Sequence, residues 1–181
     1  MLRNFLILIF LGFSFAGCDR IYGLLHKPGG EERKILGEYT FNEYSLKVEE
    51  LQKILRLFGY PVSRVDGKFG SSTRDAVGKF QMDEGLEVTR FVDKATWERM
   101  QSYVKTSLVY KLEANVMGFQ RALKKAGFIS GKLDGRMGPQ TRDALRAFQR
   151  TKGLKADGVI GLKTIKALLP YLEGKKKEES P

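Results

Sequence analysis

Asp66-Gly67-Lys68-Phe69-Gly70-Ser71-Ser72-Thr73-Arg74-Asp75-Ala76 is answered 68 residues later by Asp134-Gly135-Arg136-Met137-Gly138-Pro139-Gln140-Thr141-Arg142-Asp143-Ala144. The same shift superposes 48–100 on 116–168 without a gap. It pairs Gln52 with Gln120, Leu55 with Leu123, Gly59 with Gly127, Phe80-Gln81 with Phe148-Gln149, Gly85-Leu86 with Gly153-Leu154 and Thr96 with Thr164. One offset held over this span marks a duplicated structural unit.

Each copy reads as three short helices. Val48, Leu51, Leu55 and Phe58, like Val116, Phe119 and Leu123, recur at three- and four-residue intervals and so share a helix face. Gly59 and Gly127 stop that helix, because glycine readily takes the left-handed conformation of a helix end. A second helix begins near Ser71 or Pro139, carries Ala76, Val77 and Phe80 or Ala144, Leu145 and Phe148, and ends at Gly85 or Gly153. A third is expected around 94–102 and 162–169, with Pro170 closing the last. No such helix buries its stripe alone, so the fold expected is all-α, two tandem small three-helix bundles.

The repeats organise the rest of the chain. Repeat 1 is set at 43–101, repeat 2 at 102–171, and a charged tail at 172–181; Leu108, Val109 and Tyr110 make the joint between repeats one that packs. Residues 1–17 read as a secretory signal, with Arg3 as its positive start and an apolar run from Phe5 to Phe15. Residues 18–42 read as a tether punctuated by Pro28-Gly29-Gly30. The sole cysteine follows the signal directly, in Phe15-Ala16-Gly17-Cys18, which resembles the lipobox of bacterial lipoproteins. The resemblance implies that Cys18 is lipidated and anchors the chain to a membrane; Phe15 stands where lipoproteins usually carry an aliphatic residue.

The net charge of +11 is not spread evenly. Residues 43–101 are balanced, whereas 102–171 hold 14 Lys and Arg against four Asp and Glu. That stretch is either a solvated basic face or a surface for a polyanion. An exported chain excludes nucleic acid as the polyanion.

The pattern D-G-x-x-G-x-x-T-R-D-A, followed by F-Q and G-L and, in the second copy, by Ala156-Asp157-Gly158-Val159-Ile160-Gly161-Leu162-Lys163-Thr164, resembles the peptidoglycan-binding domain found as an accessory module of cell-wall hydrolases and transpeptidases. The resemblance covers both repeats and implies peptidoglycan, through its stem peptide or its glycan, as the partner. A ligand groove is then expected beside the Asp-Gly turn, at Asp66, Lys68, Phe69, Thr73 and Arg74 in repeat 1 and at Asp134, Arg136, Met137, Thr141 and Arg142 in repeat 2.

Much of that motif is architectural. Asp66 and Asp134 suit a turn in which the carboxylate accepts backbone N–H groups; Phe69 and Met137 suit plugs in the bundle; Thr73 and Thr141 place hydroxyls near the loop backbone. Arg74 and Arg142 are the candidates for direct contact, since a guanidinium grips a carboxylate with two parallel hydrogen bonds. Their rivals are Asp75 and Asp143 next door, or an ion pair within the repeat. In repeat 1 the segment Val88 to Trp97 lacks the second Asp-Gly pair, which puts that turn's shape in question. Trp97 aligns with Ile165 and is assigned to the core rather than to a sugar platform.

Catalysis is not expected. His26 is the only histidine and lies in the tether, and Cys18 is committed to lipid, so the side chains for a zinc site or a cysteine nucleophile are lacking. Paired carboxylates of a glycosidase would have no domain left to hold them. No metal or other cofactor is expected. The reading is thus a non-catalytic lipoprotein facing the periplasm or cell wall, linking a membrane to peptidoglycan. The alternative is an envelope adaptor whose repeats dock a cell-wall hydrolase or another protein.

Overall fold

The computed structural model describes residues 44–172. The expected signal at 1–17, the lipidated Cys18, the tether at 18–42 and the tail from 173 onward lie outside the described residues. Among the described residues six α-helices form in two sets of three. Repeat 1 has α1 (Leu46–Leu57), α2 (Ser71–Asp83) and α3 (Lys94–Val104); repeat 2 has α4 (Val116–Lys125), α5 (Pro139–Thr151) and α6 (Leu162–Leu168), which runs into a 3-10 turn at Leu169–Tyr171. No helix among the described residues is long and apolar enough to cross a membrane.

The helix ends follow local chemistry. Ser45 accepts the N–H of Lys47 at the start of α1, Asp93 that of Thr96 at α3, and Asn115 that of Gly118 at α4, each side chain satisfying an otherwise orphaned donor. Helices α1, α2, α4 and α5 end alike. At α1, Tyr60 N–H reaches Leu55 O at 2.9 Å and Gly59 N–H reaches Arg56 O at 3.0 Å, with Gly59 at φ +86°. This paired closure needs a left-handed residue, which explains the glycine after each of the four helices.

The joint carries the one two-stranded pairing among the described residues, beside an isolated bridge between Tyr44 and Lys68. Val109–Tyr110 pairs antiparallel with Glu113–Ala114. Between them Lys111 (φ 50°) and Leu112 (φ 61°) both take the left-handed conformation that a two-residue hairpin demands, without a glycine. Leu108 beside it is fully buried, whereas Tyr110 is exposed.

One contiguous core runs through both repeats. Its largest fully buried side chains include Leu51, Leu55 and Phe80 from the first repeat and Phe119, Leu123 and Phe148 from the second. Phe58 stacks on Phe80 at 5.9 Å and meets Tyr103 edge-on at 6.0 Å. Its carbonyl then crosses to the other repeat and accepts the N–H of Leu162 at 2.9 Å, so an orphaned carbonyl at the end of α1 satisfies an orphaned donor at the start of α6. Glu84, its side chain only 1% exposed, adds a second crossing: it accepts from Tyr103 Oη at 2.7 Å and from Lys166 Nζ of α6 at 2.8 Å. The repeats therefore dock through specific polar contacts as well as apolar area.

Candidate functional site

Each Asp-Gly turn is built around a buried glutamine. Gln52 lies four residues after Val48 and three before Leu55, on the apolar face of α1, and is 1% exposed. Its amide nitrogen donates to Asp66 Oδ1 (3.0 Å), Lys68 O (2.9 Å) and Thr73 Oγ1 (3.0 Å), while its carbonyl oxygen accepts Asp66 N–H and Gly67 N–H at 2.9 Å each. Asp66 closes the loop by accepting Lys68 N–H at 3.0 Å. Gln120 repeats this arrangement with Asp134 (2.7 Å), Arg136 O (3.1 Å), Thr141 Oγ1 (3.0 Å) and Gly135 N–H (2.8 Å).

The device recurs inside each repeat, between the second helix and the loop that follows it. Gln149 holds Asp157, Val159 O, Thr164 and Gly158 N–H; Gln81 holds Thr89, Phe91 O, Thr96 and Arg90 N–H. Four glutamine-centred turns thus brace the chain. The sequence reading missed the four glutamines as organisers. Their signal was a polar residue, repeated at the 68-residue offset, on a face otherwise apolar.

At the turn position that needs positive φ, three copies carry glycine: Gly67 (68°), Gly135 (69°) and Gly158 (70°). The fourth carries Arg90 at φ 62°. The question raised by the missing glycine is therefore answered: the turn keeps its shape, with Thr89 Oγ1 receiving Phe91 N–H at 3.3 Å where Asp157 receives Val159 N–H at 2.9 Å.

Hydrogen bonding sets the charge state of the turn aspartates. The amide of Gln52, then the N–H of Lys68, holds the Asp66 carboxyl below the usual range; Gln120 and Arg136 N–H do the same for Asp134. For Asp157 the N–H of Val159 is the main cause.

The expected contact residues separate into two groups. Thr73 and Thr141 are buried in the turns, and Asp66 and Asp134, though exposed, commit Oδ1 to the same turns; Phe69 is buried, and Met137 half-buried. Lys68, Arg136 and Arg142 are exposed. Arg74 differs from its counterpart Arg142: it is half-buried, its guanidinium 5.1 Å from the ring centre of Phe69 and 4.7 Å from that of Phe91. Repeat 2 has Met137 and Val159 at those places, so Arg142 gains no aromatic cover. Asp75 and Asp143 pair with other arginines, Arg90 at 2.6 Å and Arg146 at 2.9 Å. Trp97 is half-buried and packs on the core, with the Lys47 ammonium 5.6 Å from its ring centre. Among the described residues no group of three His, Cys, Asp or Glu is placed to hold a metal ion.

Comparison with known proteins gives two matches to the family described as "Putative peptidoglycan binding domain", over residues 45–100 and 113–168. The chain is 35% identical over 109 residues to the N-acetylmuramoyl-L-alanine amidase CwlM of Mycobacterium tuberculosis, covering 55% of this chain and 27% of the relative. It is 29% identical over 148 residues to the N-acetylmuramoyl-L-alanine amidase CwlL of Bacillus licheniformis, covering 65% and 41%, and 46% identical over 55 residues to a spore cortex-lytic enzyme of Bacillus cereus, covering 30% and 21%. The chain thus spans less than half the length of each of these relatives. No solved structure matches it significantly.

Proposed function

We propose that this chain, which belongs to the peptidoglycan-binding domain family, is a non-catalytic lipoprotein that holds a membrane to the cell wall. The observation that carries the reading is the tandem pair of family modules behind a signal-like segment ending at Cys18. Lipid on Cys18 supplies the membrane end; the modules supply the wall end, from the periplasmic or wall-facing side. The amidases and the cortex-lytic enzyme that resemble this chain carry more than half their length outside the match, which supports a shared binding part rather than a shared reaction. A cell-wall hydrolase is a fitting partner, brought to its substrate by an anchored binding protein.

Within the modules, the exposed Arg142 and Arg136 beside the Gly135 turn are the contacts we assign to anionic groups of the wall polymer. Arg74, held against two rings, serves its own repeat. The test is sedimentation of the full chain with purified sacculi. The chain pellets with sacculi, and Arg142→Ala lowers the bound fraction several-fold at unchanged melting temperature, more than Lys152→Ala does. A chain that stays in the supernatant contradicts wall binding and favours the adaptor.

A further inference from the structure

Helix α1 pairs two of its three cations with its own acids, whereas α4 carries no acid at all. On α1, Glu49 pairs with Lys53 at 2.7 Å and Glu50 with Lys47 at 3.1 Å. At the 68-residue offset Met117 and Gly118 replace the two acids, Arg121 and Lys124 replace Lys53 and Arg56, and Lys125 replaces the apolar Leu57. Lys124 Nζ donates to Gly131 O at 2.8 Å and Lys125 Nζ to Leu172 O at 3.2 Å, contacts that fix the side chains without cancelling charge. Among the described residues no carboxylate pairs with Arg121, Lys124 or Lys125.

The same replacement brings the joint against α4. Gly118 packs so closely on the joint that a Cβ there would collide with the carbonyl of Ser107. Beside it lies a groove of about 390 Å³ lined by Arg121, Lys124 and Lys125 together with the apolar Leu133 and the ring of Tyr171. That volume falls within the roughly 300–1,000 Å³ of small-ligand sites. Repeat 1 has the acid Glu50 at the position of Gly118.

We propose that this groove binds a short peptide through its free carboxylates. The identification of that peptide with the peptide part of the wall polymer rests on the wall-binding reading above. A guanidinium flanked by two ammonium groups matches a carboxylate that one fork can grip and two point charges can surround. A neutral glycan leaves three cations without a counterion. A polyphosphate chain has no use for the apolar wall of Leu133 and Tyr171, against which a methyl-sized side chain fits.

The test is titration of the full isotopically labelled chain with the tripeptide Ala-γ-D-Glu-Lys, with the same peptide carrying both carboxylates as amides, and with inorganic phosphate. The acid peptide shifts the amide resonances of Gly118, Arg121 and Tyr171. Its affinity falls at least tenfold on amidation and at least tenfold in the double variant Arg121→Gln/Lys125→Gln, whose exposed positions leave the remaining spectrum unchanged. Lys53→Gln/Arg56→Gln in repeat 1 leaves it alone. Equal binding of the amidated peptide, shifts centred elsewhere, an unaffected double variant, or phosphate binding the groove as tightly each overturns the proposal. Sacculi that sediment the chain while the peptide leaves the groove untouched overturn the groove alone. Peptide capture without sedimentation upholds the groove and overturns the wall-binding reading.

Discussion

The side chain of Arg90 crosses α2 at Gly78, its Cγ 3.0 Å from where a Cβ on that glycine would stand. Repeat 2 exchanges the two residues: Arg146 replaces Gly78, and Gly158 replaces Arg90. There a Cβ on Gly158 would meet Arg146 Nε at 3.1 Å and Cγ at 3.2 Å. Either way one arginine fills the space and pairs with the same aspartate position, Asp75 or Asp143. The exchange lets Arg90 hold φ 62° without glycine, at a backbone cost of about 1 kcal/mol or more.

The arrangement makes the two positions interdependent. Gly78→Ala in the native chain gains about 1 kcal/mol of helix propensity but drives Cβ into Arg90, and net destabilisation of about 1 kcal/mol is expected. In an Arg90→Gly background the obstacle is gone, and the same Gly78→Ala should stabilise by about 0.5–1 kcal/mol. Denaturant melts of the four chains measure the cycle. The same sign in both backgrounds would show that Arg90 does not occupy this space.

The glutamine at the centre of each turn sets a second expectation. Gln120→Leu keeps the size of a side chain 3% exposed but strips partners from Gly135 N–H, the Arg136 carbonyl, Asp134 and Thr141. Leaving such groups unsatisfied costs about 3 kcal/mol in sum. The melting temperature should fall by roughly 10 °C. Gln140→Leu, on the exposed side of α5, is the control and should move it by less than about 2 °C. Equal melting of the two variants would remove Gln120 from its central place.

Acid should loosen the turns late. Asp66, Asp134 and Asp157 have folded-state pKa values lowered from the ordinary 3.8, so their charged forms stabilise the native state fully above that pH. The contribution is lost as pH falls below about 3.8 toward the lowered folded values. The triple variant Asp66→Asn/Asp134→Asn/Asp157→Asn keeps the amide acceptors and should flatten the pH dependence of unfolding below pH 4. An unchanged slope in a pH series of urea melts would mean that other carboxylates carry the acid sensitivity.

The repeat and its six helices were legible because they rest on local signals: apolar residues every three or four positions, and a glycine at each left-handed helix end. The brace around Gln52 and Gln120 was not, because it depends on side chains 14 to 21 residues apart meeting at one amide. The exchange of Gly78 and Arg90 was equally hidden. A missing glycine reads as a lost turn until the partner residue that compensates for it is placed in space. The hairpin at Lys111-Leu112 lacks the glycine or asparagine that would announce it; the buried Leu108 beside it, whose carbonyl accepts Asn115 N–H at 2.8 Å, holds it instead. At the candidate site, sequence grouped Arg74 with Arg142, since both follow a threonine at the start of a helix. The rings of Phe69 and Phe91 separate them.

The claim that this chain joins a membrane to the wall is tested most directly by flotation of liposomes. Lipidated chain is reconstituted outward-facing in liposomes, mixed with purified sacculi, and separated on a density gradient. The liposomes should sediment with the sacculi, and Cys18→Ser chain should pellet with sacculi while the liposomes float, since several acyl chains at about 0.8 kcal/mol per buried CH₂ are lost together. Liposomes that float free despite carrying the native lipidated chain would contradict the account.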